Sequence, residues 1–361
     1  MKIYLKIYLF ILIVIALISL VSCILFTEKN YYHGNVSNHF DGKKFHNLHQ
    51  EGAKSFSSYR QSKKEYQKIY GKTQWPAQEI AINTTVPPQK VDNEQIITTF
   101  VGHSTFLIQT AGLNILTDPI WSNRASPLSF AGPKRAKKPG INFADLPKID
   151  VVLISHSHYD HLDLPTVKKL KKHSNPHFVV GLGMCYFLNH LKNLQLNCTE
   201  LDWGQAFAFN QNLNITFLPA KHWSKRYLFG NNATLWGAFA MQATLSNGKL
   251  AKIYFAGDTG FDNHFAEAGK QFAGFDLAFL PIGAYKPESF MSNHHTSPTE
   301  AVLAMQQLHA KQAVAMHFET FPMASDNFFD PSLDLKQALQ QQNINEKQFL
   351  TLQPGQQLIL P

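Results

Sequence analysis

The chain is 361 residues long, enough to bury the core of one large domain or two small ones. Hydrophobic residues at 44% against 16% charged describe a globular protein and exclude a wholly disordered one. The formal charge of +8 calls for an anionic partner, and with no recognisable nucleic-acid-binding module that partner is a lipid headgroup or a phosphate-bearing substrate, not nucleic acid.

Lys2 and Lys6 precede an uncharged run from Ile7 to Phe26, long enough to span a bilayer. Within it, Leu20-Val21-Ser22-Cys23 is similar to a bacterial lipobox, in which Cys23 would be lipidated and become the mature N-terminus. Either anchor attaches the protein to a membrane, and the positive charge ahead of the run favours a catalytic domain outside the cytoplasm, on the periplasmic side. Cys185 and Cys198 are the other cysteines, and an oxidising compartment would allow them to pair. Residues 27–95 form a polar N-terminal extension: Asn30 to Asn47 is rich in His, Asn and Gly, and Gly52 to Lys72 suits one helix. Pro87-Pro88 then breaks the chain. The expected division is an anchor segment (1–26), an extension (27–95) and a catalytic domain (96–361).

From residue 96 short apolar runs alternate with turns. Ile96 to Ile108 and Leu113 to Thr117 suit a hairpin joined around Gly112, and Val151-Val152-Leu153-Ile154 suits a buried strand. Further strands are expected at Phe178–Val180, Ile215–Leu218, Ile253–Ala256, Leu277–Leu280 and Ala313–Met316. Helices are expected at Leu164–Lys172, Pro298–Leu308 and Leu333–Gln341. Strand-rich halves with interspersed helices fit an α/β class, an αβ/βα sandwich of two packed mixed sheets with helices outside.

The chemistry falls where these strands end. Ser155-His156-Ser157-His158-Tyr159-Asp160-His161 follows the buried strand directly, and three His and an Asp in one turn point to a metal cluster. Asp118, His222, Asp258 and His317 each follow a later or earlier apolar strand in the same way. The H-x-H-x-D-H loop with these four outlying residues resembles the metallo-β-lactamase superfamily. Gly102-His103-Ser104-Thr105, Gly132-Pro133-Lys134-Arg135, Pro219-Ala220-Lys221-His222-Trp223-Ser224-Lys225-Arg226 and Gly257-Asp258-Thr259-Gly260 are similar to the N-acyl-phosphatidylethanolamine-hydrolysing phospholipase D family. The resemblance runs over roughly residues 97 to 355 and does not reach the anchor and extension.

That resemblance implies two zinc ions per chain. One would take His156, His158 and His222, the other Asp160, His161 and His317, with Asp258 bridging them and a shared hydroxide as nucleophile. Asp118 and His103 would support the ligands from behind. Asp160, Asp258 and His295 are the expected catalytic residues, with His295 donating to the phosphoryl group or protonating the leaving oxygen. The implied reaction is phosphodiester hydrolysis of N-acyl-phosphatidylethanolamine to N-acylethanolamine and phosphatidic acid. The scaffold also admits a lactonase or an amide hydrolase. Relatives of this kind imply a homodimer. Lys134, Arg135, Lys137 and Lys138 are expected to hold anionic headgroups, and Trp121, Leu128 and Phe130 beside them suit an apolar rim entering lipid. Tyr159 either touches substrate or packs.

Overall fold

β-Branched and aliphatic runs become strands in the computed structural model, which describes residues 4–15, 31–49, 56–91, 94–226 and 230–361. The chain-order strands are β1 (Ile96–Gly102), β2 (Thr105–Thr110), β3 (Leu113–Thr117), β4 (Val151–Ile154), β5 (His177–Gly181), β6 (Asn197–Leu201) and β7 (Ala206–Asn210). They continue as β8 (Leu213–Leu218), β9 (Ala238–Thr244), β10 (Leu250–Phe255), β11 (Phe275–Pro281), β12 (Ala310–Met316), β13 (Phe349–Leu350) and β14 (Gln357–Leu360). The principal helices are α1 (Phe56–Tyr70), α2 (Leu164–His173), α3 (His264–Phe272), α4 (Pro298–Gln307) and α5 (Asp330–Gln341). One sheet runs β14-β1-β2-β3-β4-β5-β6 and the other β13-β12-β11-β10-β9-β8-β7, seven strands each, which is the expected two-sheet sandwich.

β4 shows why its run is continuously apolar. Val151 and Leu153 face the core shared by the two sheets, whereas Val152 and Ile154 face Val167 and Leu170 of α2 on the outside. A strand covered on both faces has no side that tolerates charge. Fully burying each such side chain contributes about 1.5–3 kcal/mol. β4 pairs in parallel with β3 and β5, so the loops after β3 and β4 emerge at the same edge. β10, β11 and β12 are likewise parallel, and their following loops share an edge of the second sheet.

The stretch expected as one strand from Ile96 to Ile108 is broken. It turns at His103-Ser104, where His103 adopts φ 60°, and returns as β2 before the β2–β3 hairpin turns at Gly112. The strands β6, β7, β9, β13 and β14 and the helix α3 were not among the expected elements. The polar extension carries core residues: Phe40 and Phe45 are buried in the cluster between the sheets. The expected helix between Gly52 and Lys72 is α1, whose Tyr59 ring lies 5.1 Å from that of Phe290. Cys185 and Cys198 form a disulfide. Residues 4–15 are helical, and among the described residues no helix is long and apolar enough to cross a membrane. Cys23 lies outside the described residues.

Candidate metal centre

Loops from both sheets converge at one edge of the sandwich. Asp118 follows β3, the His156–His161 loop follows β4, His222 follows β8, Asp258 follows β10, His295 lies between β11 and α4, and His317 follows β12. Holding them so close requires unusual backbone. His103, Asp118 and His317 take positive φ values of 60°, 33° and 61°, which cost non-glycine residues energy and cluster at functional sites. Gly257, at φ 61°, precedes Asp258 where a Cβ would lie 2.6 Å from the Ser155 Cβ. The loops carrying Asp258 and His156 therefore touch at a position only glycine fits.

Asp258 sits at the centre. Its Oδ2 lies 3.1 Å from His317 Nε2, 3.2 Å from His161 Nε2, 3.8 Å from His222 Nε2 and 4.0 Å from His156 Nε2. On one side His158 Nδ1 is 2.8 Å from His156 Nε2 and 3.3 Å from His222 Nε2. On the other, Asp160 Oδ2 is 3.3 Å from both His161 Nε2 and His317 Nε2. A tetrahedral zinc with bonds of about 2.0–2.1 Å holds its ligand atoms about 3.3 Å apart, so both triads have the spacing a cation needs.

The hydrogen bonds behind the ligands fix which nitrogen faces inward. Asp118, wholly buried, accepts from Ser155 N at 2.7 Å, Ser155 Oγ at 2.6 Å and His161 Nδ1 at 2.6 Å. Since the Ser155 hydroxyl donates to Asp118, it accepts from His156 Nδ1 at 2.9 Å. His222 Nδ1 donates to the His294 carbonyl at 2.8 Å. In each case Nδ1 carries the proton and the Nε2 lone pair is left for a metal, the usual arrangement behind a ligating histidine. His103 Nε2 donates to Asp160 Oδ2 at 3.0 Å, so His103 orients a carboxylate. Buried atoms without a hydrogen-bond partner include His158 Nε2, His161 Nε2 and Asp258 Oδ1. Unpartnered polar atoms on residues of one dry cluster fit a cation better than an empty core.

Protonation follows the same logic. Burial drives His156 and His222 well below the usual imidazole range and His158 to about 4, so they are neutral, the form that ligates. Against burial, Asp258 and Asp160 hold His161 well above that range and His317 at about 9, protons that a bound cation would replace. Burial pushes the Asp118 carboxyl up, with His161 and Ser155 opposing. Asp160 and Asp258 stay well below the carboxylate range despite burial, chiefly through the charge of His161. His295 is buried, its Nδ1 3.9 Å from Asp258 Oδ2, and burial lowers it to about 3.

The basic loop departs from expectation. Arg135 is buried, donates to the carbonyls of Ser122 and Ile120, and lies over the Phe321 ring. Lys137 is buried against Glu319 and donates to Gln353. Of the four, only Lys134 and Lys138 are exposed; Arg135 and Lys137 are not free to hold headgroups. Trp121 is half-buried, donating to the Ile141 carbonyl, while Leu128 and Phe130 do face solvent. Tyr159 packs: its hydroxyl donates to the Arg226 carbonyl, and the Arg226 guanidinium lies 3.9 Å above its ring. Arg226 donates to the carbonyls of Ser157 and Leu162 and so braces the loop carrying four residues of the cluster. Only its place in a quoted motif marked it. A separate cavity of about 270 Å³, walled by His39, Trp203, His264 and Glu267, includes none of the cluster.

Known proteins are similar to this chain. The family described as Beta-lactamase superfamily domain matches residues 113–318. A Caenorhabditis elegans protein, N-acyl-phosphatidylethanolamine-hydrolyzing phospholipase D 1, is 34% identical over 78% of the chain and 82% of its own length. The mitochondrial Saccharomyces cerevisiae N-acyl-phosphatidylethanolamine-hydrolyzing phospholipase D is 31% identical over 72% of the chain, which spans 55% of the yeast protein. A solved metallo-hydrolase from the archaeon Ignicoccus hospitalis superposes with a TM-score of 0.55 at 23% identity, covering 74% of this chain and 99% of its own. That likeness speaks for the fold alone.

Proposed function

The chain belongs to the N-acyl-phosphatidylethanolamine-hydrolysing phospholipase D family of the metallo-β-lactamase superfamily, and we propose that it is a dinuclear zinc phosphodiesterase acting on N-acylated phospholipid. The observation that carries the proposal is the position of Asp258 Oδ2 between the His156/His158/His222 triad and the Asp160/His161/His317 triad. The donor set of imidazoles and carboxylates, with no thiolate, suits a catalytic zinc site. Zinc bound there would supply Lewis acidity toward phosphoryl oxygens and a water acidified toward neutral pH.

The residues of the chain supply the rest. Asp160 and Asp258, held as anions by the surrounding imidazoles, fix the charge balance of the centre. His295, kept neutral by burial, suits hydrogen-bond donation to a nonbridging phosphoryl oxygen better than proton transfer to the leaving group. Water would add to phosphorus while the bond from phosphorus to the N-acylethanolamine oxygen breaks, leaving phosphatidic acid. Exposed Leu128 and Phe130 beside Lys134 support a membrane-facing rim on that loop. The Cys185–Cys198 disulfide supports an oxidising compartment, consistent with an anchor through Cys23 or the apolar run and a periplasmic catalytic domain. A homodimer is part of the same reading, by likeness to relatives.

Incubating the purified, zinc-loaded protein with N-acyl-phosphatidylethanolamine, a lactone and a β-lactam tests this. Turnover of the phospholipid, lost on chelation and regained with zinc, is expected. Preference for the lactone or the β-lactam would move the assignment to another bond on the same scaffold.

A further inference from the structure

The polar extension reaches the metal centre through Asn47. Its buried Phe45 donates its N–H to the Asn232 carbonyl at 2.9 Å. Asn232 exchanges two bonds with Ser224, N–H to carbonyl at 2.7 Å and Oδ1 from Ser224 N at 3.2 Å. Residues 31–49 are thereby docked on the loop that carries His222. At the end of the docked segment, Asn47 Nδ2 donates to the His222 carbonyl at 2.9 Å. Its Oδ1 accepts from His222 N and from Trp236 Nε1, each at 3.1 Å. Trp236 Nε1 also reaches the Ala220 carbonyl at 3.0 Å, tying the amide to the start of the same loop.

One side-chain amide thus engages both backbone groups of one residue, as the peptide of a neighbouring strand would. With Nδ1 bonded to the His294 carbonyl, His222 is held at three points and its Nε2 is left facing His158 and Asp258. An exposed surface loop has no need of such a clamp, whereas a ligand that must stay within a few tenths of an ångström of its partners does.

We propose that Asn47 is a positioning residue of the metal centre, holding His222 in its ligating pose and making the N-terminal extension a working part of the site. The inference rests on the reading of His156, His158 and His222 as the ligands of one cation. None of the Asn47 hydrogen bonds above goes to Asp160, His161 or His317, so its loss loosens one cation and spares the other.

The test compares full-length wild type, Asn47→Ala, Asn47→Asp and Phe45→Leu, each reconstituted with zinc. Zinc per chain, the phases of chelator-driven release and the melting temperature without metal are measured. Asn47→Ala should weaken one phase by roughly 10–100-fold and leave the other as in wild type. Asn47→Asp, which keeps the acceptor oxygen but loses the N–H donated to His222, should fall between. Phe45→Leu should lower the melting temperature without selecting a phase. Wild-type release from Asn47→Ala overturns the inference, as does loosening of both ions in step with a fall in melting temperature. If Asn47→Ala does not fold, Asn47→Asp decides by the same criteria. A wild type that binds no zinc refutes the two-cation reading instead.

Discussion

At the scale of single residues, the centre depends on which ring nitrogen carries a proton. Asp118 accepts from His161 Nδ1, and that bond turns His161 Nε2 toward Asp160 and Asp258, where a bound cation would take the place of its proton. Asp118→Asn keeps the shape but presents an N–H where an acceptor stood, which favours the other tautomer. Zinc affinity should fall roughly 10–100-fold in chelator competition, with the circular dichroism spectrum unchanged. Unaltered affinity would remove Asp118 from the support of His161. His295 is tested separately from metal binding. His295→Ala should slow turnover by roughly 10²–10³-fold with two zincs retained, the cost of losing one donor to a charged oxygen. A change of less than about threefold would make His295 structural.

At the scale of elements, the turn that presents His295 is set by the start of α4. Ser297 Oγ accepts from Glu300 N at 3.3 Å while Ser297 N donates to Glu300 Oε2 at 2.8 Å, a reciprocal cap with Pro298 in the first turn. Ser297→Ala should cost about 1 kcal/mol in denaturant unfolding. Because the cap begins two residues after His295, it should also slow turnover several-fold without changing zinc content. Equal turnover would show that His295 is held by other contacts, such as its N–H to the Met291 carbonyl.

Elements with a strong local pattern were legible in the sequence. The doubly buried β4 and the His156–His161 loop after it are contiguous, so strand and ligands announce each other. The helix expected from Pro298 likewise begins where α4 does. Edge strands such as β7, whose residues alternate between exposed and half-buried, lack such a signal. The turn at His103 was hidden because it is short and set between the apolar runs Phe100-Val101 and Phe106-Leu107-Ile108, and a positive φ leaves no mark on a histidine. Arg135 and Lys137 looked like a surface patch because charge is visible in a sequence, whereas their partners Phe321 and Glu319 lie far along the chain. Asn47 was unreadable for the same reason, its partner His222 lying 175 residues away.

At the scale of the whole molecule, the two sheets bring parallel-strand loops to one edge, and the metal centre straddles the seam between them. The net charge of +8 and the exposed Leu128 and Phe130 suit an anionic lipid interface, yet neither says which bond is cut. Hydrolysis of N-acyl-phosphatidylethanolamine in ¹⁸O-labelled water, with the products resolved by mass spectrometry, asks that question directly. Attack at phosphorus predicts heavy oxygen in phosphatidic acid and none in the N-acylethanolamine. Heavy oxygen in a freed fatty acid would mean ester or amide cleavage and would contradict the phosphodiesterase assignment.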